Sequence, residues 1–276
     1  MSKPFAALQR LLPQHQMSRA IGALARSETS WISKAFIAGF ARAYKVSLSE
    51  AEVSDLHSFA SFNDFFTRAL KPGARPIDPE RGLVAPADGA ISQAGDIESN
   101  TLLQAKGNRY RLSSLAGALA DGFDGGTFAT IYLAPHDYHR VHLPLDGTLT
   151  DTLAIPGELF SVNSATEASI NDLFCRNERL VCRFSTNAGD MLVILVGALI
   201  VASIQTVWPG PVSPYQEQTH TRHDLRFNKG DEIGRFLLGS TVIVCMQAGQ
   251  VTLNPDLQPG TPVRMGRSIA SLPSPL

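Results

Sequence analysis

After Arg81 the chain becomes a succession of short apolar runs, each cut off by Gly, Asp, Asn or Pro: Thr127–Leu133, Leu180–Phe184, Met191–Val196, Ala198–Ile204 and Val242–Met246. Such runs are short for a buried helix and right for strands buried in a sheet. Upstream, residues 1 to about 70 read as helical, and Pro72-Gly73 with Pro76 then end the helices and form a linker. The expected fold class is α+β: a β-rich antiparallel sandwich or barrel-like core with an N-terminal α-helical region. The division follows the texture, with a helical, basic region over 1–72 and a β-rich domain over 73–276. Asn63 or Asp64 is expected to cap a last short helix through Phe65–Leu70. The polar, proline-bearing stretch from Trp208 to Asp231 is expected to be a long loop.

Charge and cysteines narrow the classes. A net charge of -1 argues against a general nucleic-acid binder, so no nucleic-acid partner is expected. Cys175, Cys182 and Cys245 include no C-x-x-C pair, which suggests reduced thiols. Arg10, Arg19 and Arg26 interrupt every early apolar run, so no signal peptide is expected. The longest apolar run, Met191 to Ile204, is too short to span a bilayer as a helix. The first 47 residues carry seven cations against the single acid Glu28, interleaved with Phe5, Ile21, Leu24, Trp31, Phe36 and Phe40. Two readings follow: a basic amphipathic face for anionic lipid head groups, or a helical cap on the core with a solvated basic side.

Four stretches carry candidate chemistry. Asp88-Gly89 lies between apolar residues and is a turn signal. Tyr132 to Pro144 holds three of the seven histidines, His136, His139 and His142, directly after an apparent strand. Imidazole suits proton transfer near neutral pH and also metal ligation, so a zinc site on these three is a rival reading. Ile155–Asn163 is an apolar loop that either lines a pocket or fills the core. Asn228-Lys229-Gly230 is a tight turn leading through Phe236 to Gly239-Ser240-Thr241, a polar tripeptide set in an otherwise apolar strand. Asp88, His142 and Ser240 thus offer an acid, a base and a hydroxyl, and triads are defined by geometry, not chain order. The G-x-S-x-G elbow of hydrolases is absent around Ser240. A serine held after a glycine has its own preceding peptide carbonyl within reach.

The ordered segments Phe65–Arg68, Lys71–Pro76, Pro86–Gly89, Tyr138–His142, Asn177–Arg179 and Lys229–Phe236, ending in Gly239-Ser240-Thr241, resemble the phosphatidylserine decarboxylase family, pyruvoyl-dependent enzymes with an L-G-S-T cleavage motif. The resemblance runs from about residue 60 to about residue 250. It implies a proenzyme that cuts itself between Gly239 and Ser240 into a β subunit, 1–239, and an α subunit, 240–276. His142, oriented by Asp88, would take the Ser240 proton as Oγ attacks the Gly239 carbonyl. Elimination and loss of ammonia would then leave a pyruvoyl group, the covalent cofactor, with no metal. That group would form a Schiff base with the amine of phosphatidylserine and accept electrons as carbon dioxide leaves, giving phosphatidylethanolamine. His139 would assist decarboxylation or the later protonation. The resemblance also implies a heterodimer of the cleaved subunits, a dimer of heterodimers, and a peripheral place on the anionic, cytoplasmic face of the inner membrane. Besides the zinc hydrolase, two rivals are a non-enzymatic β-rich binding module with an amphipathic anchor and a pyruvoyl decarboxylase of a soluble amino acid.

Overall fold

The computed structural model describes residues 21–104, 107–162, 164–167, 169–198, 204–237 and 240–273. Its first long helix, α1 (Ser30–Tyr44), buries Ser33, Ile37 and Ala41, one residue per turn on a single face. It ends at Lys45, whose left-handed backbone lets its N–H reach the Ala41 carbonyl. The next helix, α2 (Phe62–Phe66), is capped by Ser61 and not by Asn63 or Asp64. The Ser61 hydroxyl accepts from the Asp64 N–H while the Asp64 carboxylate accepts from the Ser61 N–H. This reciprocal box pulls the helix three residues upstream of the expected start. Phe62, Phe65 and Phe66 then pack with Phe59, Ile37 and Ala41 in a core of their own.

The first strands are β1 (Gly82–Val84), β2 (Gly89–Asp96), β3 (Thr101–Leu103), β4 (Arg109–Arg111), β5 (Thr127–Leu133) and β6 (Arg140–His142). Next come β7 (Gly147–Ile155), β8 (Arg179–Thr186), β9 (Gly189–Gly197), β10 (Ile204–Thr206), β11 (Thr219–Phe227) and β12 (Glu232–Phe236). The last are β13 (Ser240–Met246), β14 (Thr252–Leu253), β15 (Pro262–Val263) and β16 (Ser268–Ser271). Eight of them form one sheet in the order β11-β7-β8-β9-β13-β5-β2-β15. Every pairing in it is antiparallel. The sheet stays open, so the core is a sandwich. Smaller sheets, β10-β12-β6, β1-β16-β14 and β3-β4, accompany it.

The uninterrupted apolar runs are explained by cover on both faces. Along β13, Val242, Val244 and Met246 enter one core with Val141, Ile233 and Phe236 of the small sheet. Ile243 and Cys245 enter a second core on the other face, with Leu115, Phe160 and Phe174. A strand covered on both sides has no solvent face to mark with polar residues. The edge strand β11 is the reverse case. It lies inside the stretch expected to be loop, because its alternately exposed Thr, His and Arg residues carry no apolar run. The apolar loop after β7 proves to be core: Leu159, Phe160 and Val162 are buried, and Asn163 lies outside the described residues. Residues 1–20 and Gly239 also lie outside them.

Phe62 is fully buried and meets Phe36, Phe40, Phe65 and Phe66 with ring centroids 4.3–5.8 Å apart. Replacing it with Ala empties the middle of that cluster. Phe62→Ala is expected to lower stability by about 3–5 kcal/mol, read from chemical denaturation against the parent chain.

Candidate active site

Ser240 is the first residue of β13, the strand between β5 and β9. Across the sheet it lies opposite Leu133, the last residue of β5, and Gly197, the last of β9. The pleat puts its side chain on the Val242 face, toward the small sheet that carries His142. The hydroxyl is fully buried and has no hydrogen-bond partner among the described residues. One position on, Thr241 lies opposite Tyr132, which lies opposite Ala90. Asp88 therefore precedes a strand two places away, about 10 Å across the same end of the sheet. Gly89 permits this approach, since a Cβ there would stand 2.2 Å from the Tyr132 carbonyl oxygen.

The loop leaving β5 brings in the histidines. Its course is fixed by the Asp137 carboxylate, which accepts from the Ala134 N–H at 2.7 Å, and by Arg68, which donates to the carbonyls of His136 and Asp137 at 2.9 and 3.1 Å. The Phe236 N–H donates to the His139 carbonyl at 3.0 Å, which ties the loop to the segment running into Ser240. His139 is fully buried, and its ring stacks on Phe66 with centroids 4.0 Å apart. Neither ring nitrogen makes a hydrogen bond, although the backbone of Ala134 and Pro135 is close. Burial, and then the Arg68 guanidinium, push its pKa down to about 3, so the ring is neutral.

His142 is held at both nitrogens. Nδ1 lies 2.8 Å from the Gly230 carbonyl oxygen and Nε2 lies 3.0 Å from the Tyr138 hydroxyl. A carbonyl only accepts, so Nδ1 carries the proton and Nε2 the lone pair. Burial lowers its pKa below the ordinary imidazole value, against the contrary pull of the Gly230 carbonyl and the Glu232 and Asp88 carboxylates. The Asn228-Lys229-Gly230 turn thus serves the imidazole. It is pinned by Lys229, whose ammonium donates to the carbonyls of Asp78 and Glu80 at 3.1 Å.

Asp88 makes no hydrogen bond to His142. Its carboxylate accepts from Arg75 Nε at 2.8 Å, from Arg75 Nη2 at 2.5 Å and from the Met265 N–H at 2.9 Å. The two meet less directly: the His142 N–H donates to the Pro86 carbonyl at 2.8 Å, and Asp88 and Tyr138 line one cavity of about 200 Å³. The expectation that Asp88 orients the imidazole therefore finds no direct contact here; the Gly230 carbonyl occupies the nitrogen an orienting acid would take. The three loop histidines stand in separate surroundings. His136 is largely exposed beside Asp137, His139 is buried on Phe66, and His142 is bonded to Gly230 and Tyr138. The described residues contain no group of three or more His, Cys, Asp or Glu side chains arranged to hold a metal.

Several residues that position the site carried no role in the sequence reading. Arg75 and Tyr138 lie within the family-like segments Lys71–Pro76 and Tyr138–His142. Asn177 donates to the carbonyls of Phe160 and Gly197, both at 2.8 Å, and so fastens the apolar loop to the end of β9 opposite Ser240. Glu178 is buried and accepts from the Ser213 hydroxyl and, at 2.7 Å, the Tyr215 N–H. Their signal was a charged and polar triplet directly before an apolar strand.

A second cavity, of about 680 Å³, runs between the helices and β10. It is lined by Arg26, Asn63, Trp208, Val212 and Arg235 and reaches Leu237, three residues before Ser240. Val212 stands 86% exposed at its rim. No described helix is long and apolar enough to cross a membrane.

Comparison with known proteins bears on this geometry. A family model described as "Phosphatidylserine decarboxylase" matches residues 62–271, and a second, described as "PSD", matches residues 4–45. The phosphatidylserine decarboxylase proenzyme of Alcanivorax borkumensis is 51% identical over 273 residues, covering 95% of this chain and 94% of that protein. The proenzyme of the same name from Pseudomonas aeruginosa PAO1 is 52% identical, covering 96% of each chain, and that of Pseudomonas fluorescens Pf-5 is 50% identical with the same coverage. With its residues matched across the strands, the histidine loop and Ser240, the chain belongs to the phosphatidylserine decarboxylase family and is an enzyme, a carboxy-lyase.

Proposed function

We propose that this chain is a proenzyme that cuts itself between Gly239 and Ser240 and then decarboxylates phosphatidylserine to phosphatidylethanolamine with a pyruvoyl group derived from Ser240. The observation that carries the reading is the Ser240 hydroxyl: fully buried, without a partner among the described residues, and at the first position of the central strand. A buried hydroxyl left unpartnered costs about 1–3 kcal/mol. Such a group is explained when its hydrogen-bonding capacity is needed for a reaction.

The roles follow from the site. The Nε2 lone pair of His142, neutral through burial, is the base for the Ser240 hydroxyl proton. Asp88, clamped by Arg75, contributes its negative charge, which stabilises the imidazolium while the proton is held. The residues fit a pyruvoyl group at position 240. Thr241 Oγ1 and both His139 nitrogens are buried, polar and unpartnered, and so are available to it or to substrate. Such a group supplies an electrophilic carbonyl and an electron sink for the carboxylate being lost. His139, neutral and desolvated, is suited to hold or return a proton at the reacting carbon. No metal enters this reading.

The N-terminal region, residues 1–72, is read as the membrane-associating part and residues 73–276 as the catalytic domain. Trp31 is 75% exposed on α1, and Lys34 and Arg42 share that helix. This combination suits a peripheral enzyme on the anionic cytoplasmic face of the inner membrane. The cleaved subunits, 1–239 and 240–276, would remain together, since β13 is paired on both edges to strands of the larger one. A dimer of such heterodimers is part of the same proposal.

Ser240→Ala is expected to leave one uncut chain without decarboxylase activity, whereas the parent yields a 240–276 fragment with a blocked N-terminus; intact mass reads both. If the alanine chain were cut, the assigned junction would be wrong. Because the folded-state pKa of His142 is lowered, self-cleavage is expected to persist below pH 6.5 and to be lost only as pH falls through that lowered value. Fragment appearance in freshly synthesised chain shifted between buffers measures it. His139→Ala is expected to cut normally yet lose about 100-fold in turnover on phosphatidylserine vesicles. Loss of cutting would instead give His139 the role assigned to His142.

A further inference from the structure

We infer that Tyr138 is a positioning residue for the base of self-cleavage: its hydroxyl, opposite the Gly230 carbonyl, holds the His142 imidazole in place and in the tautomer whose free lone pair is on Nε2. The inference rests on the reading that His142 is that base.

The geometry is specific. The ring of His142 is gripped along one axis, with Gly230 O at 2.8 Å on Nδ1 and Tyr138 Oη at 3.0 Å on Nε2. Since Nδ1–H points at a carbonyl, Nε2 of the neutral ring can only accept, and the phenol must donate. Tyr138 also stacks on the imidazole, with centroids 5.7 Å apart and planes 27° apart. Burial pushes the phenol pKa up to about 12, so it remains a donor throughout the working pH range. The place usually given to a carboxylate behind the imidazole is filled by a backbone carbonyl, and Asp88 is turned to Arg75.

A donor on Nε2 favours the neutral ring, and it fills the lone pair until Ser240 replaces it. In the reaction, Ser240 Oγ–H takes the place of the phenol and passes its proton to Nε2 as Oγ bonds to the Gly239 carbonyl carbon. The C–N bond between the two residues then breaks, and its nitrogen takes the proton back from Nε2. The amide becomes an ester, the imidazole returns to neutral, and nothing else is consumed. Tyr138 recovers its bond to Nε2 at the end. The charged groups around this pair among the described residues are Glu232 and Arg235 on β12, Arg140 on β6, Asp88 with its partner Arg75 before β2, and Arg68 and Asp137, which line the cavity with Tyr138. All of them remain in the variant below.

Tyr138→Phe keeps the stacked ring and removes only the hydroxyl. It is expected to slow self-cleavage at neutral pH about tenfold or more. The acid limb of its rate–pH profile should move upward by about 0.5–1 unit, because a hydrogen bond to the neutral ring is gone. A purely structural role would leave that limb in place. The second measurement needs no cleavage: in the uncut Ser240→Ala chain, ¹⁵N-histidine NMR should show His142 protonated on Nδ1. Adding Tyr138→Phe should raise the pKa of that ring while the thermal melt stays within a few degrees. An unchanged acid limb, or an unchanged His142 titration in the double variant, overturns the role of Tyr138. A parent chain that never cuts would overturn the proposed function itself, so the two failures are distinguishable.

Discussion

The whole arrangement depends on β13 being buried on both faces and paired on both edges. A strand in that position contributes to two cores at once, so its residues reach their final surroundings only when β5, β9, the small sheet and the segments carrying Leu115, Phe160 and Phe174 are all in place. Ser240 begins this strand. In the proposed reaction the nucleophile therefore meets its base only in a fully assembled domain, and the strand that leaves with the smaller subunit is the one most firmly held by the larger. Cutting the chain there removes one covalent bond but none of the sheet hydrogen bonds of β13.

The same burial determines the chemistry at that end of the sheet. Water is excluded from His139, His142 and Ser240, so desolvation is the first cause of the lowered pKa at both histidines. Buried charges tolerate this only when paired or hydrogen-bonded. Asp88 has Arg75, and Arg140 and Arg235 share Glu232. Arg68 is buried without a carboxylate partner and donates instead to the His136 and Asp137 carbonyls, while the Ser240 and Thr241 hydroxyls and the His139 ring are neutral and unpartnered among the described residues. The charged side chains thus tie the site to neighbouring carboxylates and carbonyls, and the neutral groups among them are the candidates for chemistry. The phenylalanine cluster joins the two parts of the molecule here, because Phe66 is at once part of the helical core and the platform for His139.

Much of this was legible in the residues. The apolar runs Thr127–Leu133, Leu180–Phe184, Met191–Val196 and Val242–Met246 coincide with strands, the run Ala198–Ile204 lies mostly outside the described residues, and short helices at Leu112–Ala116 and Leu173–Arg176 follow the Pro72-Gly73 linker. Ser240, His139 and His142 were identifiable as chemistry-bearing because a polar group in an apolar strand, or three histidines in one loop, needs an explanation. Less was legible where polarity and structure part company. β11 is an edge strand whose residues look like loop, and the cap is Ser61 and not Asn63 or Asp64, because the Asp64 side chain closes the capping box from within the helix.

The sequence by itself determined the class of fold, the family and the short roster of reactive side chains, because these depend on local periodicity and on residues that stand together in motifs. It also set Asp88 beside His142 as its orienting acid, and the tertiary structure gives each of them other hydrogen-bond partners. Asp88 turns to Arg75, and the imidazole is set by a carbonyl 88 residues away in sequence and a phenol four residues away. Which nitrogen of His142 carries the lone pair is therefore set by the tertiary structure. Hydrogen-bond direction depends on which donor or acceptor the fold brings within 3 Å, and chain order carries no record of that distance.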